Sequence, residues 1–197
     1  MTQSTGGSEE TAGKGGDDFA LLDRVRRGDR AAFSDLYRHY HPRLFGYLRR
    51  MLGNPGTVEE ILDDVMFVVW KDAGKFRGNS TVSTWIFGIA YRKALTAIRN
   101  ERRYRAPLVQ SADTDSAVAG STPQDEWIQV ALSHLSHDHR QVVELTYYGG
   151  FSYQEIAKIA GCPVNTVKTR MFHARRRLKV LLPALANPKK EQNRERA

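Results

Sequence analysis

Between Lys168 and Lys179 the chain carries Lys168, Arg170, His173, Arg175, Arg176, Arg177 and Lys179, and from Ile156 to Lys190 it has neither Asp nor Glu. Such a one-signed run donates hydrogen bonds to phosphate oxygens and guanine edges, which is the chemistry of nucleic-acid recognition. A merely solvated helix face would mix both signs. Cationic patches also serve membranes and acidic partners, but here the apolar positions of the segment are needed to pack it. A second cluster is acidic: Glu59, Glu60, Asp63 and Asp64 recur at i, i+4 spacing. It suits a solvated helix start, favoured by the helix dipole, or the oxygen-rich divalent-metal site of a nuclease. No second acidic cluster or histidine partner accompanies it, so no metal is assigned. A third group, Arg92, Thr96 and Arg99, shares one helix face at i, i+4 and i+7. His137 and His139, two apart, point to different sides of a helix and make no metal pair. The single cysteine, Cys162, forms no internal disulfide and no multi-cysteine zinc site. It reads as a small buried hydrophobe, with redox sensing as the alternative. No Gly-rich phosphate loop and no Ser-His-Asp set is evident, so neither a catalytic residue nor a cofactor is expected.

The segments that must position these groups read as helices. Phe33, Leu36, Tyr37, Tyr40, Leu44, Leu48 and Met51 recur at spacings of three and four. Pro42 predicts a kink or break within that block, and Gly53-Asn54-Pro55-Gly56 ends it. Ile61, Leu62, Val65, Val69, Ala73 and Phe76 make one face of a second helix. Gly74 and Gly78 weaken its end, and residues 76–81 read as a loop. A third helix over about 83–101 buries Trp85, Ile86, Ile89, Ala90 and Ile98. From Tyr104 to Asp125 the composition turns to Ser, Ala, Thr, Asp, Gly and Pro, a flexible linker. Two short helices follow, 127–135 and 139–148. Then come 153–160, a Gly161-Cys162-Pro163 turn, and 164–182: a helix-turn-helix, whose second helix enters the major groove. Ile156, Ala157, Val167, Ala174 and Leu178 bury its inner faces, and Ser152 with Glu155 forms a capping-box pattern. The expected fold is all-α: two helical domains on a flexible linker, the C-terminal one a helix-turn-helix. The expected boundaries are a disordered tail over 1–18, a first domain over 19–103, the linker over 104–125, a second domain over 126–183 and a tail over 184–197.

Composition narrows the function classes. The 197 residues carry 30 Lys+Arg against 22 Asp+Glu, a formal charge of +8, so a polyanion is a natural partner. Hydrophobic residues at 41% allow ordinary cores. No apolar run reaches the roughly 18 residues of a membrane span, and Met1 to Asp18 lacks the apolar stretch of a signal peptide. A cytoplasmic protein without membrane insertion is the expectation.

Two motif sets go further. Leu135-Ser136 with Arg140, Gly149-Gly150-Phe151-Ser152-Tyr153-Gln154-Glu155-Ile156-Ala157, and Gly161 through Arg170 resemble the promoter-reading C-terminal domain of extracytoplasmic-function sigma factors. Glu59-Glu60-Ile61 with Asp64 and Trp70, then Phe76-Arg77-Gly78-Asn79-Ser80 with Thr84-Trp85 and Ile89-Ala90, resemble the N-terminal domain of the same family. The resemblance spans about Asp29 to Leu182, in order. It implies a bacterial RNA polymerase subunit that directs promoter recognition, promoter opening and transcription initiation and catalyses no reaction itself. It implies that Lys168, Thr169, Arg170, Phe172, His173 and Arg176 contact the upstream (minus-thirty-five) element. Phe76, Gly78, Asn79 and Ser80 would capture a flipped base of the downstream (minus-ten) element beside Arg92, Lys93, Thr96, Arg99 and Asn100. Glu60, Asp63, Asp64, Val68 and Trp70 would meet the polymerase. The implied partners are core RNA polymerase (the clamp helices of its largest subunit and the flap of the second-largest), promoter DNA and an anti-sigma factor. Arg92 and Thr96 stand where the family commonly has Asn and Asp or Asn, His173 where it often has Arg, Asp63 where it often has Gln, and Met66 where it often has Phe. The alternatives are a free-standing helix-turn-helix regulator and a metal-dependent nuclease relying on Asp63 or Asp64.

Overall fold

The computed structural model describes residues 10–52, 54–105 and 123–186. Among them run α1 (Glu10–Arg26), α2 (Arg30–Leu52), α3 (Pro55–Asp72), a short 3-10 turn (Ala73–Lys75), α4 (Val82–Arg105), α5 (Pro123–Ser133), α6 (His137–Tyr147), α7 (Tyr153–Ala160) and α8 (Val164–Ala186), with no strand. The chain divides into two compact units, one carrying α1–α4 and the other α5–α8. The all-α, two-domain expectation holds.

The first unit packs α2 against α1, α3 and α4. Leu36, Tyr40, Leu44 and Leu48 are fully buried along one face of α2, and Leu62, Val65 and Val69 of α3 meet the same core. Burying one such side chain contributes about 1.5–3 kcal/mol. That explains why α2 continues through Pro42 rather than breaking there. The lost hydrogen bond and ring clash of an internal proline cost about 3 kcal/mol, which the buried residues on both sides of it outweigh. Asn54 accepts from the Gly56 N–H at 3.0 Å with Pro55 at the first helical position, so the stop after α2 is also the start of α3.

Helix α1 starts at Glu10, so residues 10–18 of the expected tail are helical, and residues 1–9 lie outside the described residues. Gly13, Gly15 and Gly16 weaken the helical signal at its start; tertiary contacts hold its second half. Leu22 and Val25 are buried, and the Tyr40 hydroxyl donates to the buried Asp18 carboxylate at 2.5 Å. Asp29 caps the next helix, accepting from the Ala32 N–H at 3.0 Å; that bond, with Arg24, holds its carboxyl below the usual range. Helix α4 extends to Arg105, α5 begins at Pro123 and α8 continues to Ala186, all past the expected boundaries. The remainder of the expected linker and of the C-terminal tail lies outside the described residues.

The Tyr40–Asp18 bond makes a pH prediction. Burial, with Asp18 beside it, pushes the Tyr40 hydroxyl well above its ordinary value. An unfolded tyrosine ionises near pH 10, whereas the folded one keeps its proton. This stabilisation is therefore complete below about pH 10 and is lost as pH rises further. Tyr40→Phe should cost about 1–3 kcal/mol at neutral pH, because it removes a donor to a buried carboxylate, and should flatten the alkaline decline. Urea unfolding of both proteins from pH 7 to 11 tests this; equal alkaline slopes would refute it.

Candidate nucleic-acid interface

In the second unit the helix-turn-helix is built as its local chemistry dictates. Ser152 Oγ accepts from the Glu155 N–H at 3.3 Å, and Glu155 Oε2 accepts from the Ser152 N–H at 2.9 Å, the reciprocal capping box at the start of α7. Gly161 ends that helix at φ +65°, a left-handed cap that a side chain would strain. Ile156, Ile159, Val167, Met171 and Ala174 are buried, which holds α8 in place; Leu178 is half-buried.

The outer face of α8 exposes Lys168, Thr169, Phe172, His173 and Arg176 together, with Arg175, Arg177 and Lys179 beside them. Phe172 is 63% exposed. The Thr169 hydroxyl donates to the Asn165 carbonyl at 3.0 Å, which leaves its oxygen to accept. His173 lies 5.9 Å from the His139 ring and 5.4 Å from the Phe172 ring. Arg170 differs. Its guanidinium turns inward, donating from Nη2 to Asp138 Oδ2 at 2.5 Å, with Nη1 3.9 Å from the free thiol of Cys162. Arg175 donates to the Tyr147 hydroxyl at 3.0 Å. A groove of about 430 Å³ opens among Leu132, Val143, Tyr147, Leu178 and Leu182, a feature the sequence reading lacks.

In the first unit the segment after α3 forms the second candidate surface. The Phe76 ring stands 5.3 Å from Trp85 and 6.3 Å from Phe19, so packing and exposure are combined in one aromatic row. Gly78 takes φ +71°, a turn open to glycine, and Arg77, Gly78 and Asn79 are exposed. Ser80 is half-buried and donates to the Thr81 carbonyl at 3.2 Å. Thr81 Oγ1 accepts from the Thr84 N–H at 3.1 Å and so ties the loop to α4. Along α4, Arg92, Thr96, Arg99 and Asn100 are exposed, as their spacing predicts; the Thr96 hydroxyl donates to the Arg92 carbonyl at 3.0 Å.

Lys93 faces the acidic cluster: its Nζ meets Asp64 Oδ2 at 2.7 Å. Glu60, Asp63 and Asp64 are exposed on α3. Asp63 accepts from the Tyr37 hydroxyl at 3.3 Å, and Glu59 lies 3.8 Å from His41. Val68 and Trp70 are half-buried, with Trp70 edge-on to Phe33 at 5.1 Å. Phe67, one turn beyond Asp63 and Asp64, is 63% exposed and lies outside the set that the resemblance implies. The signal existed, since Phe67 falls outside the buried set Leu62, Val65, Met66 and Val69. Among the described residues no group of three or more His, Cys, Asp or Glu side chains could hold a metal ion, and no helix is long and apolar enough to cross a membrane.

Comparison with known proteins matches both units. Residues 36–104 match Sigma-70 region 2 and residues 125–178 match Sigma-70, region 4. The ECF RNA polymerase sigma factor SigK of Mycobacterium tuberculosis is 33% identical over 171 residues, covering 81% of this chain and 90% of that protein. The ECF RNA polymerase sigma-E factor of Haemophilus influenzae is 29% identical over 174 residues, covering 80% and 91%. Among solved structures, the sigma factor RpoE of Bartonella quintana, crystallised with the anti-sigma factor NepR, is 26% identical with a TM-score of 0.64, covering 77% of this chain and 96% of that one.

Proposed function

We propose a residue-level division of labour for a chain that belongs to the extracytoplasmic-function (ECF) family of RNA polymerase sigma factors. As a member it binds core RNA polymerase and promoter DNA and directs promoter recognition, opening and transcription initiation. The free-standing regulator reading is not favoured, because it leaves the region 2 match over 36–104 unexplained.

In our reading, Lys168, Thr169, Phe172, His173 and Arg176 meet the upstream element. The carrying observation is that these five side chains emerge together on the outer face of α8. Lysine and arginine supply phosphate and guanine contacts, while Thr169 and Phe172 offer an acceptor and an apolar edge. Arg170, already committed to Asp138, belongs to this set as the residue that holds the helix. The loop with Phe76, Gly78, Asn79 and Ser80 takes an unstacked base of the downstream element, and Arg92, Thr96, Arg99 and Asn100 track the strand beside it. Lys93 links that surface to the polymerase-binding set Glu60, Asp63, Asp64, Val68 and Trp70 through Asp64. Phe67 extends the set. The chain adds no catalytic step of its own, works where the polymerase works, in the cytoplasm, and is held inactive by an anti-sigma protein, as RpoE is bound by NepR.

Run-off transcription with core polymerase on fragments of the source genome tests the whole reading: discrete transcripts that require this chain are expected. Within it, Asn79→Ala should leave binding to an upstream-element duplex unchanged. Thymine reactivity to permanganate in the downstream element should fall about 5–10-fold, the loss of one hydrogen bond to an unpaired base. Equal losses in both assays would contradict the division of labour.

A further inference from the structure

We propose that Phe19 on α1 is a further single-strand-binding residue, stacking on an unpaired base of the melted promoter strand beside the 76–80 loop. This rests on the reading that the loop receives that strand. Phe19 is 54% exposed, whereas Leu22 and Val25 on the same helix are 2% exposed. The burial of α1 therefore does not require it, and a phenyl ring left in water marks a contact surface when it joins a larger patch. It does join one. Trp85, Phe76 and Phe19 form a row with centroid spacings of 5.3 and 6.3 Å, tilted 46° and 53°, of which Phe19 is the exposed member. The half-buried Trp85 and Phe76 anchor the row, and Phe19 presents its outer end.

The surroundings suit a nucleotide. Arg77 and Asn79 are exposed on the loop that follows Phe76, giving a cation for a phosphate and an amide for a base edge. α1 packs against the Ala73–Lys75 turn that leads into this loop, so ring and loop are held by the same framework. A phenyl ring has no hydrogen-bonding groups. It therefore adds affinity without base choice, as stacking platforms for single strands do.

The test uses holoenzyme reconstituted from core polymerase and the full chain, with a fluorescent fork whose downstream element is single-stranded. Phe19→Ala should weaken fork binding roughly 5- to 100-fold, by a similar factor whichever base occupies the stacked position. Phe19→Trp should retain binding. An abasic site scanned along the strand should cost the parent protein affinity at one position where it costs Phe19→Ala none. Affinity for core polymerase and for an upstream-element duplex should be unchanged in both variants. Normal fork binding by Phe19→Ala, with Asn79→Ala defective, would overturn the proposal and leave the loop reading standing. Normal binding by both variants would overturn the loop reading and this proposal with it. A Phe19→Ala defect in core binding without DNA would assign the ring to the polymerase and also overturn it.

Discussion

Leu36→Ala is expected to destabilise the α1–α4 unit by about 2–5 kcal/mol, the cost of a lost buried side chain plus the cavity left behind. Leu36 has no exposed surface, and α2 carries it into the centre of a unit in which α1, α3 and α4 all pack on that helix. The core residues of α2 and α3, Tyr40, Leu44, Leu62 and Val65 among them, are themselves fully buried and leave little freedom to refill the space. Against a domain stability of about 5–15 kcal/mol, such a loss populates open forms at physiological temperature. Hydrogen exchange resolved by helix provides the measurement: amides of α2, α3 and α4 should exchange faster, while those of α6 and α8 keep their protection. The functional consequence is selective. Upstream-element binding should survive, and promoter opening should fail as the temperature is raised. Uniform acceleration across all helices would mean that the two units unfold as one.

Legibility in the sequence followed the range of the interaction. The helix-turn-helix could be read because its determinants are local: Ser152 and Glu155 are three apart, Gly161 is a left-handed cap, and the cations of α8 recur within one segment. The exposed face of Arg92, Thr96 and Arg99 followed from helical period alone. What failed depended on distant partners. Helix α1 has weak local signals, and its burial rests on Tyr40, twenty-two positions from Asp18. Pro42 is a local breaker that a long-range core overrules. The resemblance groups Lys93 with Arg92, Thr96 and Arg99 of α4, but Asp64, twenty-nine positions away, determines where its ammonium sits. Phe19, Phe67 and Phe172 have the composition of core residues; their exposure emerges only once other side chains have filled the core. The family resemblance supplied the roles that no local pattern contains.

The largest functional effect is expected from the pair Asp138 and Arg170. By type and position Arg170 reads as a base reader, and a lost bidentate guanine contact would cost about 1–3 kcal/mol at a single promoter position. Its guanidinium instead meets Asp138, thirty-two positions away at the start of α6, beside the turn that carries Cys162. Arg170 is 23% exposed and Asp138 48%, so solvent screens the pair in part. Its loss alone should be worth about 1 kcal/mol of stability, but a larger geometric consequence is expected, because the pair is a side-chain tie between the start of α6 and α8. Arg170→Ala should therefore weaken every position of the upstream element alike. Asp138→Arg, which sets two guanidinium groups against each other, should weaken it further, by about 2–3 kcal/mol. Combining Asp138→Arg with Arg170→Asp restores opposite charges and should recover most of the affinity. Binding to a panel of single-base variants of the promoter separates the two roles. A loss confined to one base pair, unrelieved by the charge swap, would make Arg170 a reader; a uniform loss relieved by the swap makes it the brace that lets Lys168, Phe172 and His173 reach the groove.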